Sequence, residues 1–303
     1  MTRHFLALHD YTKEELDALL AFAGELKEKQ KSGIAHKLLA GKAVALIFEK
    51  ASTRTRVSFE VGVFQLGGHG LFMSSANSQM GRGEPIKDTA RVMSRYCDGV
   101  MIRTFGQEIV EEFAQYSDVP VINGLTDLFH PCQIMADLQT VIEHKKSYAG
   151  LKFAWVGDGN NMANTWIEAA AIFGFELRLA CPAGYEPDRA VMAWAQATAP
   201  GLISLTTSPK VAVAGADVIN TDVWASMGQE TEQKEREKAF AGYCLDDSLL
   251  ALAKSDCVVL HCLPAHRGEE ISDLVIEGKN SVVWDEAENR LHIQKAIMAT
   301  LIK

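Results

Sequence analysis

Residues 43–60, AVALIFEKASTRTRVSFE, join an apolar, β-favouring run to a helical pattern. Ala43-Val44-Ala45-Leu46-Ile47-Phe48 reads as a strand, and Val57, Val61, Phe64 and Leu66 recur at helical spacing beyond it. The junction is Ser52-Thr53-Arg54-Thr55-Arg56. A hydroxyl residue is a favoured helix N-cap, and the first turn it caps carries unpaired N–H groups and a partial positive charge that attract anions. The hydroxyls at 52, 53 and 55 and the Arg54 guanidinium add side-chain donors at the same point, and a guanidinium holds phosphate through paired hydrogen bonds. The junction therefore reads as a phosphate pocket. Arg54 and Arg56 are separated by about 200° around a helix, so they form no single basic stripe, and Arg56 is read as structural. No G-x-x-x-x-G-K-[ST] occurs, which favours a small phosphorylated compound over a nucleotide.

The same strand, turn and helix unit recurs along the 303 residues, of which 48% are hydrophobic and 23% charged, as in an ordinary globular chain with room for two domains. A helix over 11–31 opens at Thr12 with Glu15 three residues on, a capping box. After it come a strand at 42–48, a helix at 53–66, a strand at 70–73 and a polar loop at 74–83. A helix from Pro85 to Tyr96, a strand at 99–103, a helix to Ser117, a strand at 119–122 and a helix from Pro131 to Lys146 complete four units. Ser147-Tyr148-Ala149-Gly150 marks a boundary. Strands at 151–156, 175–180, 202–206, 217–220, 256–261 and 281–284, with helices at 162–173, 187–199 and 209–214, give a second α/β sheet, and a last helix spans 286–302. The expectation is two domains, 1–147 and 148–285, each a mostly parallel sheet flanked by helices, with the C-terminal helix 286–303 packing back on the first.

A formal net charge of −9 argues against nucleic acid or an anionic membrane as partner. The amino terminus lacks a basic region followed by an apolar core, and no run approaches a membrane span, so a cytoplasmic location is expected. Six cysteines (Cys97, Cys132, Cys181, Cys244, Cys257, Cys262) show no C-x-x-C pairing and are expected as free thiols without a structural metal.

Ligands of such sheets bind at the carboxyl ends of strands, near a switch in strand order, and the remaining chemical residues fall at such ends. Arg103 ends one strand. Phe129-His130-Pro131-Cys132-Gln133 opens a helix, which puts His130 and Gln133 at its amino end as donors to a carbonyl or phosphate oxygen. Gly157-Asp158-Gly159-Asn160-Asn161 ends a strand but is not a dinucleotide turn: the third glycine of G-x-G-x-x-G falls at Met162, and the strand ending near Cys181 lacks the acidic ribose ligand. The Asn160 and Asn161 side chains occupy space a pyrophosphate needs. Asp222, in Thr221–Glu230 (TDVWASMGQE), suits a cationic amine, and Ser226-Met227-Gly228 has the small residues of a closing loop. Cys262, in His261–Ile271 (HCLPAHRGEEI), sits beside the expected cleft, but no base is placed to activate it and no covalent thiol intermediate is expected.

Six stretches in order, STRTR, FHPCQ, DGNN, DVWASMG, HCLPAHRGEE and AENRLH, resemble the carbamoyltransferases over essentially the whole chain. DVWASMG with HCLP matches the branch that uses ornithine rather than aspartate. The resemblance implies direct transfer of the carbamoyl group of carbamoyl phosphate to the side-chain amine of L-ornithine, giving citrulline and phosphate, without cofactor or metal. By that likeness Ser52, Thr53, Arg54, Thr55, Arg103, His130 and Gln133 bind carbamoyl phosphate, with Thr55, Arg103 and His130 on its carbonyl oxygen. Cys262, Leu263 and Arg290 match positions completing that pocket, with Cys262 also helping to orient the amine. Asn161, Asp222, Ser226 and Met227 match the ornithine site. Gln79 matches a residue reaching the pocket from a neighbouring subunit, a role Arg82 can share, and a homotrimer with active sites at subunit interfaces is implied. Putrescine, acetylornithine or aspartate as acceptor, and a non-catalytic carbamoyl-phosphate-binding protein, are the rival expectations.

Overall fold

The computed structural model describes residues 2–75, 79, 81, 83–225 and 232–303. The chain divides into two compact units, Met1–Gln139 with Glu288–Lys303, and Thr140–Ala287.

The first unit opens with helix α1 (Lys13–Lys31) behind a complete capping box, in which Thr12 Oγ1 accepts from Glu15 N and Glu15 Oε2 accepts from Thr12 N. Then follow β1 (Ala43–Phe48), α2 (Thr53–Gln65), β2 (His69–Ser74), α3 (Ile86–Tyr96), β3 (Gly99–Arg103), α4 (Gln107–Gln115), β4 (Val121–Leu125) and α5 (Pro131–Lys145). The sheet order is β2-β1-β3-β4 and every pairing is parallel. Ala45, Ile47, Val100 and Ile102 pack against Met93, Val110 and Phe113 of the covering helices. β4 starts two and ends three residues later than the expected 119–122, because Asn123, Gly124 and Leu125 belong to it. Asn123 Nδ2 donates to Leu6 O at 2.9 Å, and a Cβ at Gly124 would stand 2.4 Å from Met101 Sδ, so a larger residue there requires the Met101 side chain to move. On α2, Phe59 and Val63 are buried, whereas Val57, Val61 and Phe64 are 50%, 36% and 78% exposed. The apolar spacing that marks this helix thus includes a face not covered by its own chain.

The second unit holds β5 (Lys152–Val156), α6 (Asn161–Phe173), β6 (Glu176–Ala180), α7 (Arg189–Thr198), β7 (Ile203–Thr206), α8 (Pro209–Val213) and β8 (Val218–Thr221). The short helices α9 (Gln233–Ala239) and α10 (Asp247–Leu250) precede β9 (Val258–His261) in the chain and α11 (Asp273–Ile276) follows it, while α12 (Val283–Leu301) begins in this unit and belongs to the first from Glu288 on. Its sheet order, β7-β6-β5-β8-β9, is again wholly parallel. The strand expected at 281–284 is absent. Ser281 makes one isolated bridge to Val259, after which α12 begins at Val283, three residues before the expected helix start. The apolar Val282 and Val283 are buried by packing and not by a sheet ladder.

In each unit the strand order reverses beside the first strand, between β1 and β3 in one and between β5 and β8 in the other. Successive connections run opposite ways there, which leaves a crevice at the carboxyl ends. Ser52 follows β1, Arg103 ends β3, Asp158 follows β5 and Asp222 follows β8. Among the described residues, no helix is long and apolar enough to cross a membrane.

Candidate active site

In the first unit, β1 ends by turning onto β3: Glu49 N donates to Arg103 O at 2.9 Å, which carries residues 50–55 across the end of that strand. Lys50 is buried, contacts the Asp127 carboxylate and lies 4.5 Å from the Phe105 ring centre. It anchors the turn, and a lone lysine beside STRTR carries no signal of that role in the sequence. Ser52 is the N-cap of α2 in extended conformation, and its Oγ accepts from Thr55 N at 3.2 Å.

Thr55 is fully buried, and three polar groups converge on its hydroxyl. Ser52 Oγ donates at 3.1 Å, Arg103 Nη1 at 3.3 Å and Arg290 Nη2 at 2.8 Å. One small hydroxyl therefore sets two guanidiniums, from β3 and α12, against the amino end of α2. Arg54 adds a third, and its Nε is buried with no hydrogen-bond partner. Burial pushes the His130 imidazole well below its ordinary pKa, and the Arg290 and Arg103 charges push it further the same way. At neutral pH His130 is therefore an uncharged ring. Gln133 donates through Nε2 to Asp137 Oδ1 at 2.8 Å, which fixes the amide's orientation. The bond takes one of the two N–H groups on Nε2, so the amide offers both a donor and an acceptor. Thr53 is exposed at the first position of α2. Gln79 is exposed, its carbonyl accepting from Glu84 N at 3.1 Å, while Arg82 lies outside the described residues.

In the second unit, Asp222 is buried at the end of β8. Its Oδ1 accepts from Val223 N at 2.8 Å and from the Cys262 thiol at 3.2 Å, and its Oδ2 accepts from Asn160 Nδ2 at 3.0 Å. Each of these donors is uncharged. The neighbouring Asp158 is treated differently: Arg236 Nη1 donates to its Oδ2 at 2.8 Å and to Trp224 O at 2.7 Å. Burial lifts the Asp158 carboxyl to about 6 against the opposing pull of Arg236. Asn161 is the first residue of α6, its carbonyl accepting from Thr165 Oγ1 at 2.7 Å. Ser226 and Met227 lie outside the described residues.

Asp222, His261 and Cys262 bring ligand-type atoms within 4.8 Å of one another. Both ring nitrogens of His261 are engaged, however: Nδ1 accepts from Leu263 N and Nε2 donates to Glu270 Oε1, each at 2.9 Å. The trio thus offers no imidazole to a metal. Leu263 itself has φ +59°, a left-handed conformation that a branched side chain rarely adopts. His261 and Glu270, both fully buried, hold this turn and carried no signal in the sequence beyond their place in HCLPAHRGEE.

These two parallel sheets form the α/β carbamoyltransferase fold. The chain superposes on an ornithine carbamoyltransferase from Pyrococcus furiosus with TM-score 0.96 at 51% identity, over 99% of this chain and 97% of that one. An anabolic ornithine carbamoyltransferase from Campylobacter jejuni matches with TM-score 0.93 at 44% identity, over 99% of both chains. The carbamoyl-P binding domain of aspartate/ornithine carbamoyltransferases matches residues 3–143, and the Asp/Orn binding domain matches 149–301. An ornithine carbamoyltransferase of Geobacter metallireducens is 78% identical over 303 residues, all of both chains. The chain belongs to the aspartate/ornithine carbamoyltransferase family.

Proposed function

We propose that this protein transfers the carbamoyl group of carbamoyl phosphate to the side-chain amine of L-ornithine, giving L-citrulline and phosphate. The observation that carries the reading is the convergence of Arg103 and Arg290 on Thr55, with the orphaned Nε of Arg54 beside them at a helix amino end. In a chain of net charge −9, such a cluster of cations is a local device for an anion.

In this reading Ser52, Thr53, Arg54 and Thr55 hold the phosphate. Arg103, His130 and Thr55 face the carbonyl oxygen, and Gln133 presents its carbonyl to the carbamoyl N–H groups. Attack by a neutral amine builds negative charge on the carbonyl oxygen, and each positioned donor lowers that barrier by about 3 kcal/mol. An uncharged His130 suits this role, because it donates a hydrogen bond without a proton that would leave. The departing phosphate is a dianion held by Arg54 and accepts the amine's proton. Asp222 receives the ornithine amine, assisted by Cys262, while Asn161, Ser226 and Met227 take its amino-acid end. Asp222 is suited to a cation because, among the described residues, it makes no ion pair, whereas Asp158 beside it has Arg236. Leu263 completes the carbamoyl-phosphate contacts together with Cys262 and Arg290. The division into a carbamoyl-phosphate domain, 1–147 with the C-terminal helix, and an ornithine domain, 148–285, belongs to the same proposal.

The exposed Val57, Val61 and Phe64 of α2 and Leu71 and Phe72 of the edge strand β2 support a homotrimer in which Gln79 serves a neighbouring active site. The compartment is the cytoplasm. The test is citrulline formation from carbamoyl phosphate and ornithine, with putrescine, acetylornithine and aspartate assayed in parallel for their own products. A wide margin for ornithine is expected; a larger rate with another amine overturns the acceptor assignment. Arg54→Ala should cost turnover by orders of magnitude with the fold intact.

A further inference from the structure

Asn160 is the N-cap of α6, and its Oδ1 accepts from Met162 N at 2.9 Å and Ala163 N at 3.3 Å. Backbone N–H groups only donate, so these two bonds determine which end of the amide is oxygen. The nitrogen is left pointing the other way, where Nδ2 donates to Asp222 Oδ2 at 3.0 Å. The cap is itself held in place. Gly159 N donates to Tyr185 O at 2.9 Å, and a Cβ on Gly159 would stand 2.2 Å from Pro187 N, so the turn lies flat against residues 185–187.

The contacts of Asp222 show what this achieves. Val223 N and the Cys262 thiol fix one oxygen, and Asn160 fixes the other. The carboxylate cannot rotate, yet no cation of its own unit neutralises it among the described residues, since the guanidinium of Arg236 is spent on Asp158. We infer that Asn160 is a positioning residue for the acceptor amine: anchored as a helix cap, it aims the Asp222 carboxylate while leaving its charge for the substrate's ammonium. This rests on the reading that Asp222 receives the ornithine amine.

The alternative is that Asn160 is a helix cap and nothing more. Serine and aspartate cap helices as well as asparagine does, but neither carries the N–H that reaches Asp222. Asn160→Ser and Asn160→Asp therefore preserve the cap and remove the donor. Hydrogen bonds to charged groups are worth enough that losing this one should raise the KM for ornithine about tenfold in Asn160→Ser. The like charge of Asn160→Asp should raise it further and move the acid limb of kcat/KM for ornithine to higher pH, because two facing carboxylates retain a proton. The KM for carbamoyl phosphate should stay near wild type in both, and the melting temperature should stay near wild type in Asn160→Ser and fall in Asn160→Asp, where two carboxylates face each other. An unchanged ornithine KM and pH profile in both variants overturns the proposal. Asp222→Asn, measured alongside, separates the two levels: if it too leaves the ornithine KM unchanged, the Asp222 assignment itself fails; if only Asp222→Asn raises it, the positioning role alone fails.

Discussion

Replacing Thr55 with valine keeps the shape of a fully buried side chain and removes the oxygen on which two guanidiniums converge. The Arg290 bond at 2.8 Å is a short charge-assisted one, worth about 1.5–3 kcal/mol, whereas the Arg103 bond at 3.3 Å is longer and counts at the lower end. The bond from Thr55 N to Ser52 Oγ uses only the backbone of Thr55 and persists, so the helix keeps its cap. Folding stability should therefore fall by about 2–4 kcal/mol. Activity should fall separately. If the Thr55 hydroxyl donates to the carbonyl oxygen, its loss costs about 3 kcal/mol of transition-state stabilisation, a drop of about 10²-fold in kcat/KM for carbamoyl phosphate. Steady-state citrulline formation below the melting temperature measures the second effect, and denaturant unfolding the first. Thr55→Ser, which restores the hydroxyl, should recover most of both. A valine variant within about threefold of wild-type kcat/KM would refute the role assigned to this hydroxyl.

Acid should destabilise the protein through its histidines. His130 is held well below its ordinary pKa and His292, buried beside Lys295, lies at about 4, so the unfolded chain binds more protons than the native one once pH falls below about 6.5. Asp158, raised to about 6, works in the opposite direction between its native value and the ordinary carboxylate range, so Asp158→Asn should steepen the acid loss read by urea midpoints. Lys295 is fully buried against Gln65 and His36 and is lowered to about 8. The unfolded lysine holds its proton to higher pH, so stability from this group should rise between pH about 8 and 10.5, and Lys295→Met should abolish that rise. Gly159→Ala places a methyl inside the backbone at 186–187, where no flexible side chain can yield, and should lower the melting temperature and raise the ornithine KM together.

The parts of this structure legible in the sequence are those governed by neighbours in the chain. The capping box at Thr12 and Glu15 and the N-cap at Ser52 are local patterns with local causes, and both form as read. The strand expected at 281–284 fails because Val282 and Val283 are apolar for reasons of packing, and an apolar run of that length has no period to tell a strand from the head of a helix. Gly124 disguises the end of β4, since the Met101 side chain it packs beside lies on a different strand. In the candidate site the individual residues were legible as motif members, but their relations were not. No spacing shows that Arg290 shares an acceptor with Arg103, that Gln133 donates to Asp137, or that Asn160 reaches Asp222. The Arg290 and Asn160 contacts join residues far apart in sequence, whereas Gln133 and Asp137 are an i,i+4 pair on α5 whose spacing permits the bond without showing that it forms.

The bond between Thr55 and Arg290 joins positions 235 residues apart in sequence, and the unit that contains it is split into Met1–Gln139 and Glu288–Lys303. Closing so long a loop is entropically slow, and contacts of such separation form late. During refolding, the β1–β3 sheet and the cap at Ser52 can therefore assemble first, with one arginine of the proposed anion pocket still missing. If the proposed pocket is right, competence to hold phosphate reports the last stage of maturation, and a nascent first segment can own its sheet without owning its chemistry.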